Sequence, residues 1–222
     1  MTVRTFQPRR GRVTARQARA LDQLSGRWAL PVDGTPLDLA GVFGASTPVV
    51  LEIGFGMGEA TLQQAVADAR TGVLAVDVHT PGVGQLLDGV ERLGLGQVRV
   101  MHGDALEVLR TMLAPTSLSG IRVFFPDPWP KTRHHKRRLF QPANVDLMVS
   151  RLRPGGFVHV ATDWPDYGRQ MLAVLESHPQ LRNDHGGFAP RPAWRPITKF
   201  EQRGLALGHP VVDVIVTRTL TP

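Results

Sequence analysis

Residues 124–138 read FFPDPWPKTRHHKRR: two phenylalanines closing an apolar run, an acid between prolines, then a dense run of cations. Pro126, Pro128 and Pro130 fix their own φ and bias the residues before them, Asp127 and Trp129 among them, toward extended backbone. The Asp127 carboxylate is therefore expected on a stiff turn. A carboxylate held in this way can oppose a developing positive charge, and Lys131, Arg133, Lys136, Arg137 and Arg138 beside it can meet a polyanion. The combination points to chemistry on a nucleic acid. His134 and His135 share the run but have no acid or cysteine close in sequence to complete a metal site, so they are expected to touch RNA backbone or sugar at most. A proline-rich turn followed by a solvated basic loop would use the same residue types.

Three further strand ends carry acids. Glu52-Ile53-Gly54-Phe55-Gly56-Met57-Gly58 spaces three glycines so that a ligand can approach the backbone at a helix entrance. A dinucleotide fingerprint would need a small residue where Glu59 stands, and a carboxylate there is a poor neighbour for pyrophosphate. S-adenosylmethionine has no phosphate and carries an ammonium and a sulfonium, so acids at 52 and 59 suit it better. Asp77 ends the second apolar run, where an acid accepts hydrogen bonds from ribose hydroxyls. Asp104 follows the third, where a carboxylate can meet an adenine amino group or simply cap a helix.

The elements that must position these residues are legible in the apolar pattern. Strands are predicted at 49–53, 73–76, 98–101, 121–125 and 157–161, and helices near 59–70, 84–93, 105–113, 144–152 and 167–177. That alternation predicts an α/β fold with a mostly parallel, doubly wound sheet, whose ligands bind beyond the carboxyl ends of the strands. The run at 211–217 has no following helix and is expected to add an antiparallel edge strand. Ahead of the domain at 46–222, residues 1–45 are expected to form a basic arm and lead-in. The arm, 1 to about 20, is read as flexible or partly helical, and Pro31, Gly34, Pro36, Gly41 and Gly44 break up the lead-in.

Composition narrows the functional classes. The 222 residues carry a net charge of +7 and a pI near 11.1. Arg4, Arg9, Arg10, Arg12, Arg16 and Arg19 all precede the first acid, Asp22. Clustered cations are the footprint of a polyanionic partner. With no cysteine there is no disulfide framework, thiol nucleophile or thiolate metal site. No apolar run approaches the ~20 residues of a membrane helix, and the start lacks a secretory hydrophobic segment. A soluble, cytoplasmic protein is expected, although an Arg-rich, acid-poor start is also the composition of an organellar transit peptide.

LEIGFGMG, DVHTPGVG, the Asp104 segment, FFPDPWPKTRHHKRR, ATDWPDY and RPITKFEQRG occur in this order across 49–218. Together they resemble the bacterial tRNA (guanine-N7)-methyltransferases of the TrmB type. The resemblance implies a Rossmann-like class I fold that uses S-adenosylmethionine to methylate a variable-loop guanine, number 46, in tRNA. It implies that Glu52, Gly54, Gly56, Gly58, Asp77, Asp104 and Asp127 surround the methyl donor. Many members carry Glu where Asp77 stands, so its reach to the ribose is shorter. Lys131 and Asp163 would contact substrate, and Thr198, Lys199, Phe200 and Glu201 would complete the pocket. A polar connector with Glu201 paired to Arg203 is the structural alternative for that last segment.

The chemistry agrees with this residue set. Guanine N7 offers an in-plane lone pair and needs no general base, so the protein's task is positioning and electrostatics. Asp127 is the catalytic candidate because it can oppose the positive charge that methylation puts on the purine. The variable-loop base must leave its stack, and Trp129 is either a stacking surface for it or core filler. A noncatalytic RNA-binding module would have no need to keep all five acids, 52, 77, 104, 127 and 163. Hydride transfer has no use for the basic run, and a DNA amino-methyltransferase would read D/N-P-P-Y/F where this chain has Asp127-Pro128-Trp129-Pro130.

Overall fold

The protein is described by a computed structural model covering residues 4–7, 11–197, 201–202, 208 and 210–220. Arg9, Arg10, Thr198, Lys199, Phe200 and Arg203 lie outside the described residues.

Valine- and leucine-rich runs buried on both faces make the central strands. β2 (Val49–Ile53) and β3 (Gly72–Asp77) are buried at every position, as expected for a parallel sheet covered on both sides. The order across the eight-stranded sheet is β1-β4-β3-β2-β5-β6-β8-β7. β1 (Ala29–Leu30), β4 (Val98–His102), β5 (Leu118–Phe124) and β6 (Leu152–Thr162) pair in parallel through β3 and β2. The chain first builds outward from β2 and then returns to place β5 on its other side, which puts a topological switch point between β2 and β5. β8 (Val212–Arg218) runs antiparallel to β6 as expected, and the two-residue β7 (Leu181–Arg182) lies beyond it.

The core has two layers. On one face, Leu51, Ile121, Val123, Val158 and Val160 meet Met148 and Val149 of α6 (Pro142–Arg151) and Tyr167 and Met171 of α7 (Pro165–Glu176). On the other, Val73, Ala75, Val98 and Val100 pack with Leu86, Leu87 and Val90 of α4 (Thr80–Leu93). Two predicted helices are shorter than expected. α3 ends at Ala67 (Glu59–Ala67), and α5 (Ala105–Glu107) passes directly into a π-helical turn, Val108–Met112. A five-residue helix, α2 (Leu39–Phe43), lies in the lead-in.

The main departure is at the start. Residues read as a flexible or partly helical arm and a broken lead-in contain a 14-residue helix, α1 (Ala15–Trp28), that runs on past residue 20. Its first turn is closed by a capping box: Thr14 Oγ1 accepts from the Gln17 N–H at 3.3 Å, and Gln17 Oε1 accepts from the Thr14 N–H at 2.9 Å. Ala20, Leu24 and Trp28 at four-residue spacing join the α4 cluster. Arg16 makes a bidentate pair with Asp88, at 2.9 and 2.6 Å, and the Trp28 indole N–H donates to Glu91 at 2.6 Å. Arginines of the basic arm therefore decorate the outer face of a docked helix.

Removing the cap tests whether this helix is structural. Thr14→Ala should cost about 1 kcal/mol, and a calorimetric scan should show a Tm lower by roughly 2–4 °C. An unchanged Tm would mean that α1 contributes nothing to folding.

Candidate active site

A cleft of about 450 Å³ opens beyond the carboxyl ends of β2, β3, β4 and β5, across the switch point. Its walls bring together Glu52, Gly54, Gly56, Glu59, Asp77, Asp104, Asp127 and Asp163. A wider, more open hollow of about 770 Å³ lies at the amino ends of the strands, beside Thr47, Asp68, Arg70 and Gln97. It gathers none of the residues singled out for chemistry.

Gly54, Gly56 and Gly58 have φ of 76°, 60° and 77°, which glycine adopts without strain. Gly58 is the N-cap of α3 and sits behind the cleft, against Leu86. The loop is pinned by Asp77: its Oδ2 accepts the Gly56 N–H at 2.7 Å and its Oδ1 accepts the His79 N–H at 2.9 Å. Close packing adds to this restraint, because a Cβ on Gly82, in the first turn of α4, would stand 1.8 Å from the Gly56 carbonyl oxygen. Asp104 caps α5, accepting the Leu106 N–H at 2.9 Å, while also lining the cleft. The helix-cap reading and the pocket reading of this residue are compatible.

Glu52 is 3% exposed. Its Oε1 accepts from Thr61 Oγ1 at 3.0 Å, and its Oε2 is buried without a hydrogen-bond partner. Burial pushes its pKa up to about 7, against the opposing pull of the Arg122 guanidinium.

Asp127 follows β5 on a turn held in costly backbone conformations. Phe125 and Trp129 have φ of 55° and 45°, left-handed values that cost non-glycine residues about 1–3 kcal/mol each. Extended backbone was the expectation for Trp129. Instead, burial of its indole, 6% exposed, overrides the preference: its N–H donates to the Thr5 carbonyl at 3.2 Å, and the Arg137 guanidinium lies 5.0 Å from its ring centre. Trp129 is packed into the protein in this conformation rather than presented as a stacking surface. The same amino-terminal segment reaches the acid, as the Gln7 N–H donates to Asp127 Oδ2 at 2.8 Å.

The basic run forms a short 3-10 helix, Thr132–Arg137, at the end of this turn. Arg133, Lys136 and Arg137 are exposed there, His134 and His135 are half-buried, and Lys131 just before it is exposed. Arg138 requires a correction. It is 1% exposed, donating to the Pro128 carbonyl at 2.8 Å, to Asp166 Oδ2 at 2.7 Å and to Gln170 Oε1. It ties the acid's turn to α7 and offers no donor to a phosphate. Glu201 is likewise buried, 2% exposed. It receives the Arg195 guanidinium rather than facing the cleft alone, with Nη1 2.6 Å from Oε2 and Nη2 3.0 Å from Oε1. Among its near neighbours in sequence, Pro196 and Ile197 line the cleft.

The chain resembles known proteins both in sequence and in fold. Residues 46–214 match a family described as "Putative methyltransferase". The tRNA (guanine-N(7)-)-methyltransferase of Streptomyces avermitilis is 58% identical over 97% of this chain and 75% of its own length. The proteins of that name from Bordetella pertussis and Thiobacillus denitrificans are 54% and 53% identical, over 97% of this chain and 85% and 95% of theirs. The chain belongs to the tRNA (guanine-N(7)-)-methyltransferase family. Its fold is shared more widely. A 30S ribosomal A1408 methyltransferase from an uncultured bacterium superposes with TM-score 0.59 at 11% identity, over 82% of this chain and 93% of that one. The 16S rRNA methyltransferase KamB does so with 0.56 at 14% identity, over 97% and 99%.

For a member of this family, the sequence reading gave no role to Arg122, which is half-buried beside Gln64, or to His159, Arg195 and Asp213, which the fold buries together. The available signal was polarity out of place, since Arg122 and His159 interrupt apolar strand runs.

The fit of Gly82 against Gly56 can be tested directly. Gly82→Ala must displace backbone, so it should weaken S-adenosylmethionine binding in a calorimetric titration by about tenfold, or 1.4 kcal/mol. Gly96→Ala, where an added Cβ meets nothing, is the control and should bind normally.

Proposed function

We propose that this protein transfers the methyl group of S-adenosylmethionine to N7 of a guanine in the variable loop of tRNA. The observation that carries the reading is a juxtaposition: the acids 52, 77, 104 and 127 ring one cleft at the switch point, and an exposed basic helix stands at its edge. Relatives more than half identical over nearly the whole chain bear the name of that activity. The catalytic unit of this proposal is 46–222, with α1 bracing α4 from outside it. A tRNA substrate would place the reaction in the cytoplasm.

The residues fit the cofactor. Glu52 Oε2, buried and unpartnered, suits a cationic ammonium, and the glycine loop leaves bare backbone for an adenosyl group to approach. Asp77 and Asp104 retain acceptor capacity for hydroxyl and amino donors. When bound, S-adenosylmethionine supplies an electrophilic methyl on a sulfonium leaving group. The protein's own contribution is placement. Asp127 sits on a turn that is over-determined by Arg138 and Trp129, so its carboxylate is oriented before substrate arrives. There it opposes the positive charge that the purine acquires, without a proton being removed from N7. Lys131 and Asp163 are assigned to substrate at the rim. Arg133, Lys136 and Arg137 are assigned to tRNA phosphates.

The deciding experiment is incubation with labelled S-adenosylmethionine and an unmodified tRNA transcript, followed by mapping of the methylated base. Label on N7 of a variable-loop guanine is expected, and label at another position or none at all would overturn the reading. Asp127→Asn should fold normally and lose about 3 kcal/mol of transition-state stabilisation, roughly a hundredfold in turnover at saturating substrates.

Glu52 adds a pH dependence. Its pKa is raised to about 7, so the carboxyl is largely protonated below that value, and a cationic ligand must displace the proton. Cofactor affinity should therefore climb as pH rises toward 7 and level off above it, and Glu52→Gln should flatten the profile. In the ligand-free protein the sign reverses. Folding stability drawn from the protonated carboxyl is full below the ordinary value of 4.5 and is lost as pH rises to about 7, so a melting series against the Gln variant should show the two curves parting between those values and running parallel above 7.

A further inference from the structure

Behind the cleft, charged groups beyond the acids that ring it form a buried set. Arg195 is 0% exposed. Besides Glu201 it engages Asp213 of β8: Nη2 donates to Oδ2 at 2.9 Å, and Nε lies 2.7 Å from Oδ1. That Oδ1 is also 2.7 Å from His159 Nε2, on β6. Burial, ahead of the opposing effect of Asp213, holds the His159 pKa below its ordinary value, and the short contact selects the neutral Nε2–H tautomer. Two buried carboxylates therefore converge on one buried guanidinium, and Arg191, 3.4 Å from Glu201, adds a second, half-exposed cation.

A set of this kind is a poor source of net stability, because desolvating the charges offsets most of their attraction. What it supplies is geometry. Between β7 and β8 the chain from 183 to 197 has no helix or strand. Among the described residues, a single backbone bridge from Ala189 to Asp213 joins this stretch to the sheet. Arg195 is its buried polar anchor, and the next two residues, Pro196 and Ile197, line the cleft. The Arg195 guanidinium also lies 5.9 Å from the ring centre of Phe124, the last residue of β5 before the turn that bears Asp127. One side chain thus touches both the loop forming a cleft wall and the strand that delivers the catalytic candidate.

We propose that Arg195 is a positioning residue for methyl transfer: its fork, braced by Asp213 and His159, fixes the wall at 196–197 and Glu201 against the end of β5, so that substrate meets a preset site. The proposal rests on the functional reading above. It requires the forked geometry, because a lysine keeps the charge but cannot span two carboxylates bidentately. The cofactor side of the cleft, built on β2, β3 and β4, does not depend on it.

The test compares the wild type with Arg195→Lys, which preserves charge balance, and with Arg195→Met. Expected for the Lys variant is unchanged S-adenosylmethionine affinity by calorimetry, with kcat/KM for tRNA methylation lowered roughly tenfold to a hundredfold, as when a reacting pair is mispositioned. Amide hydrogen exchange should quicken in peptides covering 189–202 and stay slow in β2, β3 and β4. The Met variant should show the same pattern more strongly. If it fails to fold, the Lys variant carries the test alone. Wild-type kcat/KM in the Lys variant would overturn the proposal, as would a parallel loss of cofactor affinity and a general rise in exchange, which would mark Arg195 as a core residue only. Absence of methyl transfer by the wild-type protein would instead overturn the functional reading on which the proposal stands.

Discussion

Two backbone N–H groups converging on the Asp77 carboxylate hold this architecture's working end together. Gly56 donates from the loop after β2 and His79 from the turn after β3, so one side chain sets the separation of adjacent strand ends. The missing side chain of Gly82 lets α4 begin against the Gly56 carbonyl, and α4 in turn supplies the surface on which α1 docks. The glycine loop is thus restrained from β3 and from α4. Asp77 must satisfy these donors before it can serve any ligand, which explains why an acid with two oxygens and four lone-pair directions is useful at this strand end.

The polar groups inside the sheet follow a different logic from its apolar layers. Glu52, Arg122 and His159 occupy matched positions on three neighbouring strands. They form a row across one face of the sheet, at the end near the cleft. Arg122 hydrogen-bonds Gln64 at 2.8 Å and lies 5.1 Å from the Trp194 ring centre, so its charge is dispersed over an amide and an aromatic face. Apolar residues in the same places would fill the volume at lower desolvation cost. On the proposed function, the row is the underside of a site that handles a cation on one side and a polyanion on the other.

How much of this was legible in the sequence varied with the range of the interaction. Parallel strands were readable because each is a short β-branched run between turn residues, and the strand-end acids followed from that register. α1 was obscured by its own surface. Arg16, Arg19 and Arg27 dominate its composition, whereas the Ala20, Leu24, Trp28 stripe and the Thr14 and Gln17 cap are quiet signals that a count of charges outweighs. Arg138 could not be separated from Arg137 by sequence, since its burial depends on Asp166 and Gln170 some thirty residues later. Glu201 was expected in a pocket wall, with a pair to Arg203 as the structural alternative, and its described partners Arg195 and Arg191 both lie earlier in the chain. Trp129 shows the same limit from the backbone side, because a local preference for extended geometry gives way when the side chain gains a buried berth.

The amino-terminal segment has a practical consequence. Thr5 and Gln7 reach across to Trp129 and Asp127, and Thr5, Phe6 and Gln7 line the cleft. An affinity tag joined ahead of residue 4 would therefore enter the molecule within a few residues of the cleft and the Asp127 turn, and a residual scar after cleavage would remain there. Fusions for assay or immobilisation belong at the other terminus, where β8 carries the chain along the far side of the sheet.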